Sequence, residues 1–264
     1  MKLGVYSSLL AFPHGVWRYS MNKILIGTVL AVTSTITLSA QSNSNFDGFY
    51  VGASAGYSSL DAKEKVGIIN PTTGARGPSH RVSFSPQLKS NNSAGSVHAG
   101  YGSTFAQKWY LGTEFSIIFD NHKTKYKFSD TNDGSKFSDV LSRKHAMAFT
   151  IMPGYYLKED ILLNLKTGVS ISKFTYKMED NYSEAGPGGD RSFLSTSRST
   201  TAAGFAFGAG IKISMTEKLS TRLDLDHTVY RNFRVSKVQQ NDHIITTNIK
   251  PTVTTVMAGF SYKI

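Results

Sequence analysis

Val256, Ala258, Phe260, Tyr262 and Ile264 alternate along the end of the chain with Met257, Gly259, Ser261 and Lys263. This period of two, without any helical period, marks a β-strand with two unlike faces. It recurs upstream and predicts eight strands: Gly48–Ser59, Ser93–Gly102, Trp109–Asp120, Lys144–Tyr156, Ile161–Lys177, Thr200–Ser214, Leu219–Val235 and Ile249–Ile264. The connections alternate in length. Ser103–Lys108, Leu157–Asp160 and Met215–Lys218 are short turns, whereas Leu60–Asn92, Asn121–Arg143, Met178–Ser199 and Ser236–Asn248 are long and polar. Short turns at one end and long loops at the other are the pattern of an up-and-down transmembrane barrel.

Each strand keeps its two phases. The first sets Phe49, Val51, Ala53, Ala55 and Tyr57 against Tyr50, Gly52, Ser54, Gly56 and Ser58. The third sets Trp109, Leu111, Phe115, Ile117 and Phe119 against Tyr110, Gly112, Glu114 and Ser116. The second phase is mostly Gly, Ser and Ala. Such a face suits the narrow interior of an eight-stranded barrel better than a surface in water. Rings gather near strand ends, at Phe49, Tyr57, Tyr101, Trp109, Tyr155, Tyr156, Phe260 and Tyr262, where interfacial anchors belong. The expected fold is therefore all-β: an eight-stranded antiparallel up-and-down transmembrane β-barrel.

Composition narrows the function. The chain has 264 residues, 18% of them charged, and no cysteine. A disulfide framework, a cysteine zinc site and a cysteine nucleophile are thereby excluded. Met21-Asn22-Lys23 before the apolar run Ile24–Val32, with Leu38-Ser39-Ala40 as a cleavage site, predicts a signal peptide. Residues 1–40 are read as an N-terminal extension plus that leader, with Met21 as the expected true start, and 41–264 as the barrel domain. Removing Lys2, Arg18 and Lys23 lowers the formal charge from +11 to +8. The remaining cations lie mostly between strands, so lipopolysaccharide or host polyanions are expected partners, and nucleic acid is not.

Phe46-Asp47-Gly48-Phe49-Tyr50-Val51-Gly52-Ala53-Ser54-Ala55-Gly56-Tyr57 resembles the opening strand of the small outer-membrane β-barrel family. That family includes the OmpA transmembrane domain, the OmpX/Ail proteins and surface antigens of α-proteobacteria. Ala258–Ile264 resembles its closing strand, with Ile264 where an aromatic is common. The resemblance covers Phe46–Ile264 and implies a Gram-negative outer-membrane location. Both chain ends fall on the short-turn side, so periplasmic termini are expected, and the protein is expected to be a monomer. It is nearly silent on activity. Nothing follows the last strand, so a peptidoglycan-binding domain is not expected.

The polar candidates fall in two places. His98, Glu114, Lys166, Lys212, Arg222, Asp224 and Asp226 share the inward phase. Unpaired charges are costly in a narrow interior, so these residues should compensate one another as a structural network, with a small pore as the sharper alternative. Lys123, Lys125 and Lys127 would share one face of an extended segment, and with Arg231 and Arg234 they are candidates for polyanion binding. Their bland role is to bridge lipopolysaccharide phosphates; the alternative is adhesion to an anionic host glycan or protein. His80, His122, His145 and His243 lie in or beside the long connections and are expected to be solvated. Asp226 and His227 are adjacent in a strand and face opposite sides, so the acid cannot orient the imidazole. Gly52-Ala53-Ser54-Ala55-Gly56 has the Gly-x-Ser-x-Gly spacing but lies inside the first predicted strand, not at a strand-to-helix elbow. Asp130–Gly134 is read as a surface turn, as is Gly186–Gly189. No enzyme site, metal or cofactor is expected. The expected role is envelope structure and surface interaction, with a small pore and a lipid-modifying enzyme as alternatives.

Overall fold

The computed structural model describes residues 44–69, 81–84, 87–129, 136–183, 191–238 and 244–264. The expected leader with Met21, and also His80, Asp130–Gly134, Gly186–Gly189 and His243, lie outside the described residues. Ten strands follow in order: β1 (Gly48–Ile69), β2 (Arg81–Phe84), β3 (Gln87–Phe105), β4 (Trp109–Ser129), β5 (Lys136–Lys158), β6 (Ile161–Ser183), β7 (Arg191–Ser214), β8 (Leu219–Tyr230), β9 (Phe233–Val238) and β10 (Ile244–Lys263). Each stave pairs antiparallel with the next, and β10 returns to β1 from Tyr50↔Lys263 to Ile69↔Ile244. The result is a closed eight-stranded barrel, with β2 and β9 as short additions to β1 and β10.

The lower half matches the expected alternation. Phe49, Val51, Tyr57, Trp109, Phe115, Phe119, Ile171, Phe205, Leu223, Val256 and Phe260 are all exposed and form an outward apolar belt. From Trp109 to Phe119 this belt rises about 25 Å along the normal, given ~3.3 Å per residue and ~40° of tilt. Closure is what makes such a wall possible, because every backbone donor and acceptor in it finds a neighbouring strand. The inward glycines make room for rings. A methyl group at Gly102 would overlap the Tyr110 side chain, and one at Gly100 would overlap that of Tyr50.

The upper half departs from the expected loops. β4 continues to Ser129 instead of stopping at Asp120, β5 begins at Lys136 instead of Lys144, and β7 begins at Arg191 instead of Thr200. β8 ends at Tyr230, and the segment after it pairs with β10 alone. Above the belt the outward face turns polar, so hydrophobicity no longer marks the strand. A β-bulge adds to this. Lys144 and His145 of β5 both face out, opposite one residue of β6. Below them the even residues Ala146, Ala148 and Met152 are buried, and above them the odd residues Asp139, Leu141 and Arg143 are.

Closure is confined to the belt and the region just above it. β3 pairs with β4 only as far as Gly95↔Phe119, and β7 with β8 only as far as Gly204↔Tyr230. Beyond these points the described strands form two sheets, β9–β10–β1–β3 with β2, and β4–β5–β6–β7. Asn92 Nδ2 donates to Asn121 O at 3.1 Å across one seam, and Arg231 N to Ala203 O at 2.8 Å across the other. Between the sheets lies an apolar core. Leu60, Val66, Leu88, Val235, Ile249 and Val253 come from the first sheet, and Leu141, Phe174, Tyr176, Met178 and Ala202 from the second. The extracellular half is thus a small sandwich standing on a barrel.

A second apolar plug closes the opposite end. Residues 44–47 turn inward before Gly48, whose φ of +107° is open to glycine. Phe46 is buried against Tyr110, Tyr156 and Leu162. Ser44 Oγ bonds the Tyr156 hydroxyl, and Thr104 Oγ1 donates to Asp47 Oδ1 at 2.6 Å.

Candidate functional site

The lumen charges occupy the belt between the two plugs. Arg222 is the hub. Its Nη1 and Nη2 donate to Glu114 at 2.6 and 3.0 Å, and its Nε donates to Asp224 at 2.6 Å. Lys166 donates to Asp226 at 2.9 Å and lies 3.8 Å from Asp224 and 4.0 Å from Glu114. The Tyr50 hydroxyl donates to Glu114 at 2.9 Å. Five of the seven expected residues therefore meet in one array. Lys212 and His98 do not join it by ion pairing. Lys212 Nζ sits over the Tyr50 ring at 4.3 Å, and His98 Nε2 pairs with Ser261 Oγ at 3.0 Å.

Another polar group lies one layer higher. Asp120 and His122 continue the even phase of Glu114, and both are buried. Ser58 Oγ donates to Asp120 Oδ2 at 3.0 Å, His122 Nε2 meets Ser58 Oγ at 2.9 Å, and Arg143 Nη2 pairs with Asp120 at 3.2 Å. His122 was expected in solvent; the strand carries it inside instead. Its signal was the uninterrupted even phase from Tyr110 to Thr124. Arg143 had no such signal, because the bulge reverses the phase of β5. Serine, histidine and aspartate here do not form a nucleophile relay. Ser58 and Asp120 both address Nε2, whereas a relay needs the acid on the other ring nitrogen; Nδ1 faces Ser90 Oγ at 3.3 Å.

Still higher, in the extramembrane sandwich, Tyr176 Oη donates to Glu64 Oε1 at 2.7 Å and also faces Asp139. Burial raises the Glu64 carboxyl above the ordinary carboxylate range, and the tyrosine hydrogen bond opposes that shift.

Outside, Lys123, Lys125 and Lys127 do share one exposed face of β4. Lys144 on β5 and Lys173 and Lys177 on β6 are exposed on the neighbouring staves. The pairings Lys123↔Ser142 and Val140↔Lys177 place these residues on one stretch of wall, directly above Phe119, Met147 and Ile171. Arg231, between β8 and β9, and Arg234, in β9, are also exposed but lie on the far side of the barrel. Asp226 and His227 diverge as expected: His227 Nδ1 meets Thr254 Oγ1 at 2.8 Å, away from Lys166. Among the described residues no cluster of three or more His, Asp or Glu side chains is placed to hold a metal ion.

Three solved structures align with the chain at low identity. Ail of Yersinia pestis, in complex with the heparin analogue sucrose octasulfate, is 16% identical, with 81% of this chain and 99% of that one covered and a TM-score of 0.32. OprG from Pseudomonas aeruginosa is 14% identical, with 83% and 97% covered and a TM-score of 0.44. The outer membrane protease OmpT from Escherichia coli is 13% identical, with 88% and 100% covered and a TM-score of 0.44. Among curated proteins none matches the chain. Residues 28–263, most of the chain, match the family described as the outer membrane protein beta-barrel domain. The chain belongs to that family, and is an outer-membrane barrel of a Gram-negative bacterium.

Proposed function

We propose that this protein is a closed barrel of envelope-structural and surface-interaction role, whose outer wall docks phosphate- or sulfate-bearing polysaccharide. The carrying observation is the lysine field of β4, β5 and β6, exposed just above the apolar belt. Its lower members, Lys144 and Lys173, stand at the level of lipid headgroups. Lys127 stands eight residues above Phe119, roughly 20 Å higher. Protection of a free edge would account for the lysines on β4 alone, whose upper part has no β3 partner. It does not account for Lys144, Lys173 and Lys177, which lie on strands paired on both sides. The wall therefore offers lipopolysaccharide phosphates a binding surface and continues outward to where a host glycan would meet it.

The two apolar plugs and the ion-paired array between them favour a closed lumen over a pore. The Ser58, His122 and Asp120 geometry does not support an acyl-transfer enzyme.

The test is binding of purified lipopolysaccharide, and separately of heparin, to detergent-refolded protein at low and high salt. Replacing Lys123, Lys125 and Lys127 with glutamine should weaken binding and flatten its salt dependence, since rim charges act through screened electrostatics. Unchanged low-salt binding of both polyanions would remove the basis of the proposal.

A further inference from the structure

At the periplasmic mouth a cation lacks the partner its burial requires. Lys212, near the end of β7, is 2% exposed. Its cross-strand neighbour is Arg222, so two like charges stand directly opposite each other, a destabilising arrangement in a sheet. Arg222 is fully engaged by Glu114 and Asp224, and Lys166 holds Asp226. What remains for Lys212 is ring surface: Tyr50 at 4.3 Å and Tyr110 at 5.9 Å from the ammonium. Among the described residues no carboxylate lies within salt-bridge distance of it and no acceptor takes its protons. A buried ammonium in this condition is costly unless something anionic completes it.

The ammonium has a place to meet such a group. Lys212 lines a pocket at the barrel mouth together with Lys218, Lys263, Ser220, Ser261 and Tyr50. Among the described residues no acid lines this pocket. The residues come from separate elements that the fold gathers: the end of β7, the turn to β8, the last residues of β10 and the start of β1. The inward turn of residues 44–47 supplies the remaining wall through Asn45 and Phe46, and Lys263 Nζ secures it by donating to Ser44 O at 3.2 Å. Ser261 Oγ, held by His98, adds a hydroxyl. Three lysines and two serines line one small space; of these, Lys263 also donates to Ser44 O and Ser220 Oγ to Ser261 O at 3.4 Å, while Lys212 has no such acceptor among the described residues. That set suits a tetrahedral oxyanion with many acceptor oxygens.

We infer that the periplasmic mouth is a phosphate-binding site, with Lys212 as its inner cation and Lys218, Lys263, Ser220 and Ser261 as its rim. The phosphate comes either from free orthophosphate in the periplasm or from the headgroup of an anionic phospholipid of the inner leaflet. The site lies at the opposite end of the molecule from the lysine field of β4–β6, so the two proposals stand or fall separately.

The experiment is amide-resolved NMR of the chain beginning at Gln41. In phosphate-free maltoside micelles, sodium phosphate is titrated against sodium chloride of equal ionic strength. In a second arm the protein is placed in nanodiscs of phosphatidylcholine, with and without phosphatidylglycerol. Saturable shifts at Gly48, Lys212, Lys218 and Ser261 in micelles assign free phosphate. Shifts at the same amides only on adding phosphatidylglycerol assign the headgroup. Lys212→Met should weaken whichever effect appears by about tenfold or more, the loss expected when one charged hydrogen-bond donor goes. Lys250→Gln, on the exposed face of β10 at the far end and outside both lysine sites, should leave it unchanged. Heat-modified gel mobility establishes that Lys212→Met is folded. Should it fail to fold, Lys218→Gln with Lys263→Gln, both at the rim, carries the same comparison. No saturable shift in either arm, or full retention in the lysine variants, overturns the inference.

Discussion

Arg222→Met isolates the array that fills the lumen. The substitution keeps an unbranched side chain of similar length and removes three charged hydrogen bonds, two to Glu114 and one to Asp224. Counted separately at ~1.5–3 kcal/mol each, these would total more than 4 kcal/mol, but contacts within one network are not additive. The better measure is the cost of leaving a buried carboxylate uncompensated, about 3–5 kcal/mol. Lys166 is already 3.8 Å from Asp224 and 4.0 Å from Glu114 and can partly replace the guanidinium, so the lower end, about 3 kcal/mol, is expected. Combining Arg222→Met with Glu114→Gln removes one charge of each sign and should recover at least half of that loss. Urea unfolding in lipid vesicles, followed by Trp109 fluorescence and by heat-modified gel mobility, measures both variants. A single-variant loss below about 1 kcal/mol, the scale of an exposed pair, would show that the array does not hold the barrel together. So would a double variant no more stable than the single.

Three further outcomes are expected. Glu64→Gln should stabilise the extracellular sandwich at neutral pH. The raised carboxyl of Glu64 favours the protonated form in the folded state, so its contribution is present in acid and lost as pH rises through the raised value; hydrogen exchange at the β1 and β6 tips should slow in the variant near pH 7 and converge with wild type in acid, and a slope that persists would assign the effect to another group. Gly168→Ala should destabilise the barrel by about 1–3 kcal/mol, because the new methyl meets the Phe149 carbonyl of the neighbouring strand, whereas Gly95→Ala, whose methyl would make only an ordinary contact with the Ser54 carbonyl oxygen at 3.9 Å, should not; equal midpoints for the two would refute the packing argument. In planar bilayers the protein should give no stable conductance steps, since apolar plugs close both ends of the charged lumen; regular steps would restore the pore alternative.

The belt was legible because lipid on one side and a crowded lumen on the other enforce a strict alternation. Phe49, Val51 and Tyr57 against Gly52, Ser54 and Gly56 could have been placed by period alone. The same logic found Glu114, Lys166, Arg222, Asp224 and Asp226, which the barrel brings together. It failed above the belt, where Ser59, Asp61 and Lys63 face water and only the inward residues Leu60, Ala62 and Glu64 retain a pattern. With the outer face polar, a strand reads as a loop, and so His122 and the upper part of β4 were assigned to solvent. Arg143 was hidden for another reason, since a bulge has no signature in hydrophobicity. Phe46 was visible only as part of a motif. That it plugs the mouth depends on the turn at Gly48, which the sequence does not announce. The three lysines of β4 were readable as one face, but Lys144 and Lys173 join them only through pairing across strands.

The bulge at Lys144 and His145 also constrains how the gene can vary. Because one surplus residue there exchanges the inward and outward sets of β5, the strand below it and the strand above it are written in opposite parity. Deleting either residue would turn Leu141 and Arg143 outward and carry their neighbours inside, an inversion that no single substitution could repair. Length changes in this stave are therefore tolerable in pairs or beyond its tip, and an odd insertion within it is equivalent to rewriting its whole upper half.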